Sequence, residues 1–318
     1  MSAGAVKPPL RKTPEKGLKR LMTIFLILLL ACAALLAALG FAFASFSMGI
    51  RPQTLEEARA WQADHYDLSW YDALEKTDYT VTAGDGYVLH AQRLACPSPA
   101  GKLVIISHGY TDNRYGALKY ARIYLDLGFD VIVYDLRGHG ENEPTFCTYS
   151  LRESGDLNAI IADSRARWPQ ARVLGLHGES LGAATSVAVL KYAPPVDFAV
   201  ADCGFSEIES VLAGGLKRMH VPAWMTRVAS LCAKLRYGCS YDDMRPIDSL
   251  KNSDVPILFI HGENDDFIPP SHSQAMHAAA GGCSECRLIP GAGHAASVLT
   301  APDAYRTYVE AFLKKLNL

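Results

Sequence analysis

The sequence predicts an α/β fold with a mostly parallel, doubly wound sheet, preceded by one N-terminal transmembrane helix. Beyond residue 100, short apolar runs alternate with amphipathic segments, which is typical of parallel strands covered by helices on both faces. Before residue 50, an uncharged segment is longer than a soluble core helix needs to be. The composition is globular, because 49% of the 318 residues are hydrophobic and 20% are charged. A net charge of −2 argues against general binding to nucleic acid.

The uncharged segment runs from Leu21 to Met48. As a helix its 28 residues would be about 42 Å long, whereas about 20 residues cross a hydrocarbon core. Residues 1–20 contain six basic side chains and one acidic one, and only Arg51 follows the segment closely. The positive-inside rule therefore predicts that residues 1–20 form a basic cytoplasmic tail, that residues 21–48 form a single-pass anchor in the cell membrane, and that the remainder is extracytoplasmic.

A cleaved signal peptide is the alternative to an anchor, since Ala42-Phe43-Ala44 resembles a small-residue cleavage site. The apolar region of a signal peptide usually has about 7–15 residues, which is far shorter than this segment. An uncleaved anchor is therefore favoured, and a secreted form is the alternative. Both interpretations export the domain.

Seven of the eight cysteines follow the apolar segment, which places them in an exported domain where disulfides are permitted. Cys283 and Cys286 form a lone CxxC motif, and no second pair in the sequence has the spacing of a zinc site. We therefore expect no metal site, and either buried free thiols or one local disulfide.

Residues 51–76 have Leu55, Ala58 and Trp61 on one helical face, which predicts a juxtamembrane helical segment that serves as a stalk or a docking helix. Residues 77–318 then form one domain, and Gly84-Asp85-Gly86 near its start indicates a hairpin. The predicted strands are Tyr79–Thr82, Tyr87–Arg93, Leu103–Ser107, Val131–Tyr134, Val173–His177, Phe198–Ala201, Pro256–His261 and Arg287–Pro290. The predicted helices lie near Tyr115–Leu127, Gly155–Trp168, Leu181–Tyr192, His272–Ala280 and Asp303–Leu316.

Residues 204–248 interrupt this alternation and contain no buried strand. An insertion of this kind between two strands is a candidate lid. Its apolar residues at helical spacing would roof a pocket, or would simply pack on the domain core. These residues are Trp224, Val228, Leu231 and Leu235, between Pro222 near the helix start and Gly238 just past its end.

The sharpest motif is the pentapeptide Gly178–Gly182, which has the form G-x-S-x-G and places Ser180 between a predicted strand and a predicted helix. This context is typical of a nucleophile elbow, in which a strained turn projects the serine hydroxyl above the sheet. Side chains two residues before and after the serine would collide with neighbouring backbone, which explains Gly178 and Gly182. Ser180 is therefore the expected nucleophile.

A serine nucleophile needs a base and an acid that orients it, and in elbow hydrolases these follow in the order serine, acid, histidine. His294 is the expected base, because it lies in a glycine-rich loop directly after the last predicted strand. Asp265 is the expected acid, with Asp266 as the next candidate and Asp202, one strand earlier, as the outside candidate. His261 ends a strand, and a structural role is favoured for it; the remaining downstream histidines are His220, His272 and His277.

The oxyanion formed during acyl transfer needs two backbone N–H donors. Leu181, directly after the nucleophile, is expected to supply one. The second is expected from Tyr110, because it lies in the loop after the strand Leu103–Ser107, where Gly109 lets the backbone approach closely. A purely structural turn at Gly109 is the alternative.

These motifs together resemble the α/β-hydrolase superfamily, in particular the bacterial membrane-anchored serine hydrolases of its serine aminopeptidase and monoacylglycerol-lipase-like branch. The resemblance covers roughly residues 77–316. It implies the α/β-hydrolase fold with a helical lid insertion, no cofactor, and a mainly structural role for the loop Asp135–Gly140. The matching residues are the turn His108-Gly109, the motif Asp135-Leu136-Arg137-Gly138-His139-Gly140, the elbow at Ser180, His261-Gly262 with Asp265, and the loop of His294.

The expected function is a serine hydrolase that cleaves a small-molecule carboxylic ester through an acyl-enzyme intermediate. Hydrolysis of peptides or amides is the enzymatic alternative, because the same three residues serve both reactions. A membrane-tethered binding domain without turnover is the non-enzymatic alternative, and the intact serine, acid and histidine argue against it. Because position 180 is serine rather than aspartate, haloalkane dehalogenase or epoxide hydrolase chemistry is not expected.

Overall fold

An eight-stranded sheet lies at the centre of the computed structural model, which describes residues 14–281 and 284–318. Most of the predicted basic tail, residues 1–20, lies outside the described residues, and so does Cys283 of the CxxC motif. The strands are β1 (Lys76–Thr82), β2 (Val88–Leu94), β3 (Lys102–Ser107), β4 (Phe129–Tyr134), β5 (Val173–Glu179), β6 (Phe198–Asp202), β7 (Ile257–Gly262) and β8 (Ser284–Ile289). Each predicted strand corresponds to one of them.

The sheet is antiparallel at one edge and parallel elsewhere, in the order β1-β2-β4-β3-β5-β6-β7-β8. β1 pairs antiparallel with β2, and β2 pairs antiparallel with β4. The five remaining pairings, from β4–β3 to β7–β8, are parallel. The carboxyl ends of β3 and β5–β8 therefore meet at one edge, which is where ligands bind in open α/β sheets.

Eleven α-helices occur in the described part of the chain, together with short 3₁₀ helices at Val189–Tyr192, Tyr241–Asp243 and Pro246–Leu250. They are α1 (Pro14–Met48), α2 (Leu55–His65), α3 (Ser69–Ala73), α4 (Leu118–Asp126), α5 (Glu153–Arg167), α6 (Leu181–Ala188), α7 (Ile208–Arg218), α8 (Met225–Tyr237), α9 (Ser271–Ala279), α10 (Ser297–Thr300) and α11 (Pro302–Lys315).

Two apolar layers cover the sheet, one on each face. On β3, Leu103 and Ile105 face the layer that contains α5, α6 and α9. Val104 and Ile106 face the layer that contains α4 and α11. All four side chains are at most 1% exposed. The absence of polar alternation in this strand follows directly from burial on both faces.

α1 has two parts with different surroundings. From Leu18 to Leu39 its large apolar side chains are exposed. Near its end, Ala44 and Met48 are fully buried in the domain. Among the described residues, α1 is the one helix long and apolar enough to cross a membrane.

The juxtamembrane segment predicted as one helix over residues 51–76 consists of two helices, α2 and α3. Thr54 begins α2 with a capping box, in which its hydroxyl accepts from Glu57 N–H (3.1 Å) and the Glu57 carboxylate accepts from Thr54 N–H (2.8 Å). After α2 ends, the Asp67 carboxylate accepts from the N–H and the hydroxyl of Ser69, the first residue of α3. The segment packs on the domain, with Ala58 buried.

The cysteines that the structure describes carry free thiols, and five of them are buried, which agrees with the first of the two expectations. Cys286 is half-buried, and its CxxC partner lies outside the described residues. The free thiols are Cys32, Cys96, Cys147, Cys203, Cys232, Cys239 and Cys286.

The backbone is tightly crowded at the turn from β5 to α6. A Cβ atom at Gly178 would lie 2.2 Å from the carbonyl oxygen of Gly182, and a Cβ at Gly182 would lie 2.1 Å from that of Ser107. Ser180 between them has φ +51°, in the left-handed region that non-glycine residues rarely adopt. Both glycines are therefore sterically required by the turn.

We expect Gly182→Ala to lower the free energy of unfolding by about 2 kcal/mol or more, because the new methyl group must displace the backbone of β3. Urea unfolding followed by circular dichroism measures this change. Gly214→Ala in α7 is the matched control, since its Cβ would meet nothing within 4 Å. That variant should be more stable than the wild type by up to about 1 kcal/mol. Equal losses in both variants would contradict the steric explanation.

Candidate active site

Ser180, Asp265 and His294 meet at the carboxyl edge of the sheet, although they lie up to 114 residues apart in the chain. Each follows a different strand: β5, β7 and β8, respectively. The Ser180 Oγ lies 3.0 Å from His294 Nε2, and His294 Nδ1 lies 2.7 Å from Asp265 Oδ2. The three side chains form one continuous chain of hydrogen bonds.

The Asp265 carboxylate is buried and accepts hydrogen bonds at both oxygens. Its Oδ1 accepts from the N–H groups of Phe267 (3.0 Å) and Ile268 (2.9 Å). Its Oδ2 accepts from His294 and, at 3.1 Å, from His261 Nε2. Burial raises the pKa of Asp265, but the hydrogen bonds from His261, His294 and Ile268 outweigh burial and hold the pKa well below its usual value. The carboxylate therefore stays ionised at neutral pH.

His261 is a polar neighbour of the site that the sequence assigned only a general structural role. Its Nδ1 lies 2.7 Å from the Ser273 hydroxyl, and its Nε2 lies 2.7 Å from the Ile268 carbonyl oxygen. A carbonyl accepts only, so Nε2 carries the proton and Nδ1 accepts from Ser273. This fully buried ring fixes the Asp265 loop. The sequence signal for it is a histidine that ends a strand four residues before the acid.

The other acids considered in the sequence do not contact His294. Asp266 is exposed, and its backbone carbonyl accepts from Arg218 at 2.6 Å. Asp202 is buried below the site and accepts from the hydroxyls of Tyr120 (3.1 Å) and Ser297 (3.2 Å). Burial raises the pKa of Asp202 to about 6.

The other downstream histidines also have separate places in the structure. His272 Nδ1 lies 2.8 Å from the Ser206 hydroxyl, and His277 Nδ1 lies 2.8 Å from the Ser284 hydroxyl. His220 is exposed just after α7. Of the downstream histidines, His294 is the one hydrogen-bonded to Ser180.

The loop after β3 lies directly against the elbow. A Cβ at Gly109 would lie 3.8 Å from the Ser180 Cβ and 3.1 Å from the Glu179 carboxylate, so the loop packs closely on the elbow. Tyr110 and Leu181 both border the same cavity as Ser180. Leu181 is the first residue of α6, where backbone N–H groups have no partner within the helix. This geometry places two backbone segments beside the serine hydroxyl.

The loop Asp135–Gly140 is hydrogen-bonded to residues on either side of Gly109. Asp135 is buried and accepts from the backbone N–H (2.8 Å) and guanidinium (2.6 Å) of Arg114, close to the Gly109 loop. His108 Nε2 accepts from the N–H of Leu136 at 2.9 Å, and burial lowers the pKa of His108 to about 4. The neutral imidazole therefore links the two loops.

A cavity of about 340 Å³ opens beside Ser180, within the range of pockets that bind small molecules. Its walls are largely apolar. α7 lines one side through Ile208, Val211 and Leu212, and the end of α1 lines another.

The apolar residues of α8 do not roof this cavity, in contrast to the expectation for the insertion 204–248. Val228 packs against Gly40 of α1, where a Cβ would approach it to 2.8 Å. Trp224, Leu231 and Leu235 point outward and are more than half exposed. Val228, Leu231 and Leu235 lie on α8 and Trp224 directly precedes it, but α7, one helix earlier, lines the cavity beside Ser180.

Cys203 is the third potential metal ligand near Asp265 and His294, and one donor atom of each lies within 4.8 Å of the others. Burial raises the pKa of the Cys203 thiol well above its usual value. Asp265 Oδ2 and His294 Nδ1 are hydrogen-bonded to each other at 2.7 Å.

The chain is similar to several known proteins. The profile of the alpha/beta hydrolase family matches residues 103–307. The protein YqkD of Bacillus subtilis is 30% identical over 299 residues, which cover 91% of this chain and 98% of YqkD. Human alpha/beta hydrolase domain-containing protein 17C is 26% identical over 76% of this chain and 65% of its own length.

Solved structures share the fold at lower identity. The esterase Pf2001 of Pyrococcus furiosus aligns with a TM-score of 0.66 at 21% identity, over 84% of this chain and 98% of the esterase. An acylaminoacyl peptidase of Pyrococcus horikoshii aligns with a TM-score of 0.58 at 16% identity, over 78% of this chain and 43% of the peptidase. The family match and the relative in Bacillus subtilis together settle the classification: the chain belongs to the alpha/beta hydrolase family.

Proposed function

We propose that the protein hydrolyses carboxylic esters, with Ser180 as nucleophile, His294 as general base and Asp265 as the acid that orients the imidazole. The hydrogen-bonded chain from Ser180 Oγ through His294 to the ionised Asp265, at the wall of an apolar cavity, carries this proposal. Because the Asp265 carboxylate accepts a hydrogen bond from His294 Nδ1, the proton of the neutral imidazole resides on Nδ1. His294 Nε2 is therefore free to accept a proton.

In the first half of the reaction, Ser180 Oγ attacks the ester carbonyl carbon while His294 Nε2 takes the hydroxyl proton. The negative charge that forms on the carbonyl oxygen is stabilised by the backbone N–H groups of Leu181 and Tyr110. The Leu181 N–H lies at the start of α6, where the helix dipole also favours negative charge. The imidazolium then gives its proton to the leaving alcohol, and an acyl-serine remains.

In the second half, a water molecule attacks the acyl-serine while His294 takes its proton. The tetrahedral intermediate collapses, the carboxylic acid leaves, and the proton returns to Ser180 Oγ. Asp265 remains ionised throughout and stabilises the imidazolium in both halves.

An ester is favoured over a peptide because of the cavity walls. The residues that border the cavity from α7 are apolar, and Phe267 and Ile268 add further apolar surface beside His294. Such walls suit an alkyl chain, since each buried methylene contributes about 0.8 kcal/mol. A peptide substrate would place backbone amides in this apolar cavity, where each amide needs a hydrogen-bond partner. Peptide or amide hydrolysis through the same residues is the second candidate.

The domain is proposed to lie outside the cytoplasm, held by α1. The six basic residues before Leu21 outnumber the single Arg51 that follows the apolar segment closely, and this asymmetry supports a cytoplasmic N-terminus.

Ser180→Ala should lower the hydrolysis of a p-nitrophenyl ester by about 10⁴-fold or more, because the covalent step is lost. A fluorophosphonate probe should label the wild type and not this variant. Ser186→Ala on the same helix is the matched control, since the Ser186 hydroxyl is buried without a hydrogen-bond partner among the described residues. An unlabelled wild type would favour an inert binding domain instead.

Asp265→Asn should lower kcat by about 10³–10⁴-fold, because the amide does not stabilise the imidazolium and favours the wrong tautomer. Asp202→Asn should keep near wild-type turnover, since its carboxylate contacts hydroxyls below the site. Steady-state kinetics of both variants measure the difference. The reverse pattern would place the acid one strand earlier.

Turnover should be lost on acidification, since a protonated imidazole cannot accept the Ser180 proton. Because the pKa of Asp265 is held well below its usual value, the carboxylate stays ionised near neutral pH and does not contribute to this loss. Measurement of kcat/KM in buffers of constant ionic strength tests the profile. A flat profile would exclude a histidine base.

A further inference from the structure

The end of α1 is packed into the domain rather than leading away from it. A Cβ at Gly40 would lie 2.8 Å from Val228 Cγ1 and 2.8 Å from Cys232 Sγ, so glycine lets α1 and α8 approach closely. The Ser47 hydroxyl lies 2.6 Å from the Tyr241 hydroxyl, and both residues are buried. These contacts fix the last two turns of α1 relative to the domain.

The same turns border the cavity beside Ser180. Phe43 and Phe46 of α1 and Gly49 just after it line the cavity together with residues of α7. Phe46 and Met219, which also line it, are each 66% exposed, which places them where the cavity opens to its mouth. Any chain that reaches Ser180 through this mouth passes between α1 and the end of α7.

The length of the apolar segment places this mouth at a membrane surface. About 20 residues from Leu21 suffice to cross the hydrocarbon core, which brings the crossing to the neighbourhood of Gly40. The remaining residues, 41–48, extend about 12 Å beyond it. Arg51 follows directly, and its guanidinium carbon lies 6.0 Å from the Phe46 ring centre, which suits the level of lipid phosphates.

The surface of the domain next to α1 also exposes large apolar side chains. On α8, which packs along the end of α1, Leu231 is 62% exposed and Leu235 is 70% exposed. Trp224, just before this helix, is 52% exposed. A tryptophan beside exposed leucines is typical of the membrane interface. Because this patch adjoins a helix suited to cross the bilayer, its partner is the bilayer itself.

Building on the ester hydrolysis proposed above, we propose that the membrane helix forms one wall of the acyl pocket, with Phe43 and Phe46 as specificity-determining residues, and that the substrates are acyl esters dissolved in the bilayer. The acyl chain enters between α1 and α7 from the lipid, while the ester group reaches Ser180. Removal of the helix after Ala44, as by a signal peptidase, would delete Phe43 and open this wall.

The first test compares chain-length preference in the full chain reconstituted in phosphatidylcholine vesicles. In Phe46→Ala and Phe43→Ala, the ratio of kcat/KM for an octanoyl ester to that for an acetyl ester should fall about tenfold, because aromatic contact with the longer chain is lost. Phe46→Trp should change the ratio as well, since it narrows the mouth. Phe25→Ala, at an exposed site of the same helix about 32 Å away, should leave the ratio unchanged.

The outcomes separate this proposal from the one on which it rests. If the wild type cleaves no ester and takes up no fluorophosphonate, ester hydrolysis itself is wrong. If it cleaves esters but the ratio is the same in all Phe43 and Phe46 variants, the anchor is not a wall of the pocket. Because Phe46 is exposed, its variants are expected to fold like the wild type, and circular dichroism checks this.

The second test asks from which phase the substrate enters. A dodecanoyl ester of 4-methylumbelliferone is held at constant bulk concentration while inert phosphatidylcholine is added to the vesicles. The rate should fall in proportion to the mole fraction of ester in the bilayer. A rate that does not change on this dilution would show entry from water and would overturn the role of the bilayer.

Discussion

The close crossing of the chain at the turn between β5 and α6 is the constraint on which the rest of the site depends. The left-handed conformation of Ser180 costs about 1–3 kcal/mol, and it persists because neighbouring contacts fix it. The Ser180 N–H donates to the Asp202 carbonyl at 2.8 Å, and the Ser180 carbonyl accepts from Ala184 N–H at 2.9 Å in the first turn of α6. Since Gly182 lies against Ser107, the loop that follows β3 necessarily lies beside the serine hydroxyl.

Two buried carboxylates at the ends of neighbouring strands differ because of their donors. Asp265 receives two backbone N–H groups and two imidazoles, and these donors favour the charged form over the effect of burial. Asp202 receives two hydroxyls, and burial dominates, which raises its pKa. Residue type therefore does not decide which acid can support an imidazolium. The number and kind of hydrogen bonds decide it.

The sequence predicted the strands, the elbow and the approach of Ser180, Asp265 and His294, because these depend on local periodicity and on the rule that parallel strands share a carboxyl edge. It did not resolve features that depend on contacts between distant segments. The break between α2 and α3 lies within an amphipathic pattern that predicts one helical segment. α8 packs on α1 whereas α7 lines the cavity, and an apolar segment such as α1 carries no signal for its docking partner.

The packing of Gly40 against α8 divides α1 into two regions with different tolerance for substitution. Where its large apolar side chains are exposed, from Leu18 to Leu39, other apolar residues of similar hydropathy would suit a bilayer equally well. At Gly40, a leucine would suit the lipid equally well but would collide with Val228 and Cys232. Replacing the end of α1 with an unrelated apolar helix would therefore disturb its packing on the domain, even if the hydropathy of the segment stayed the same.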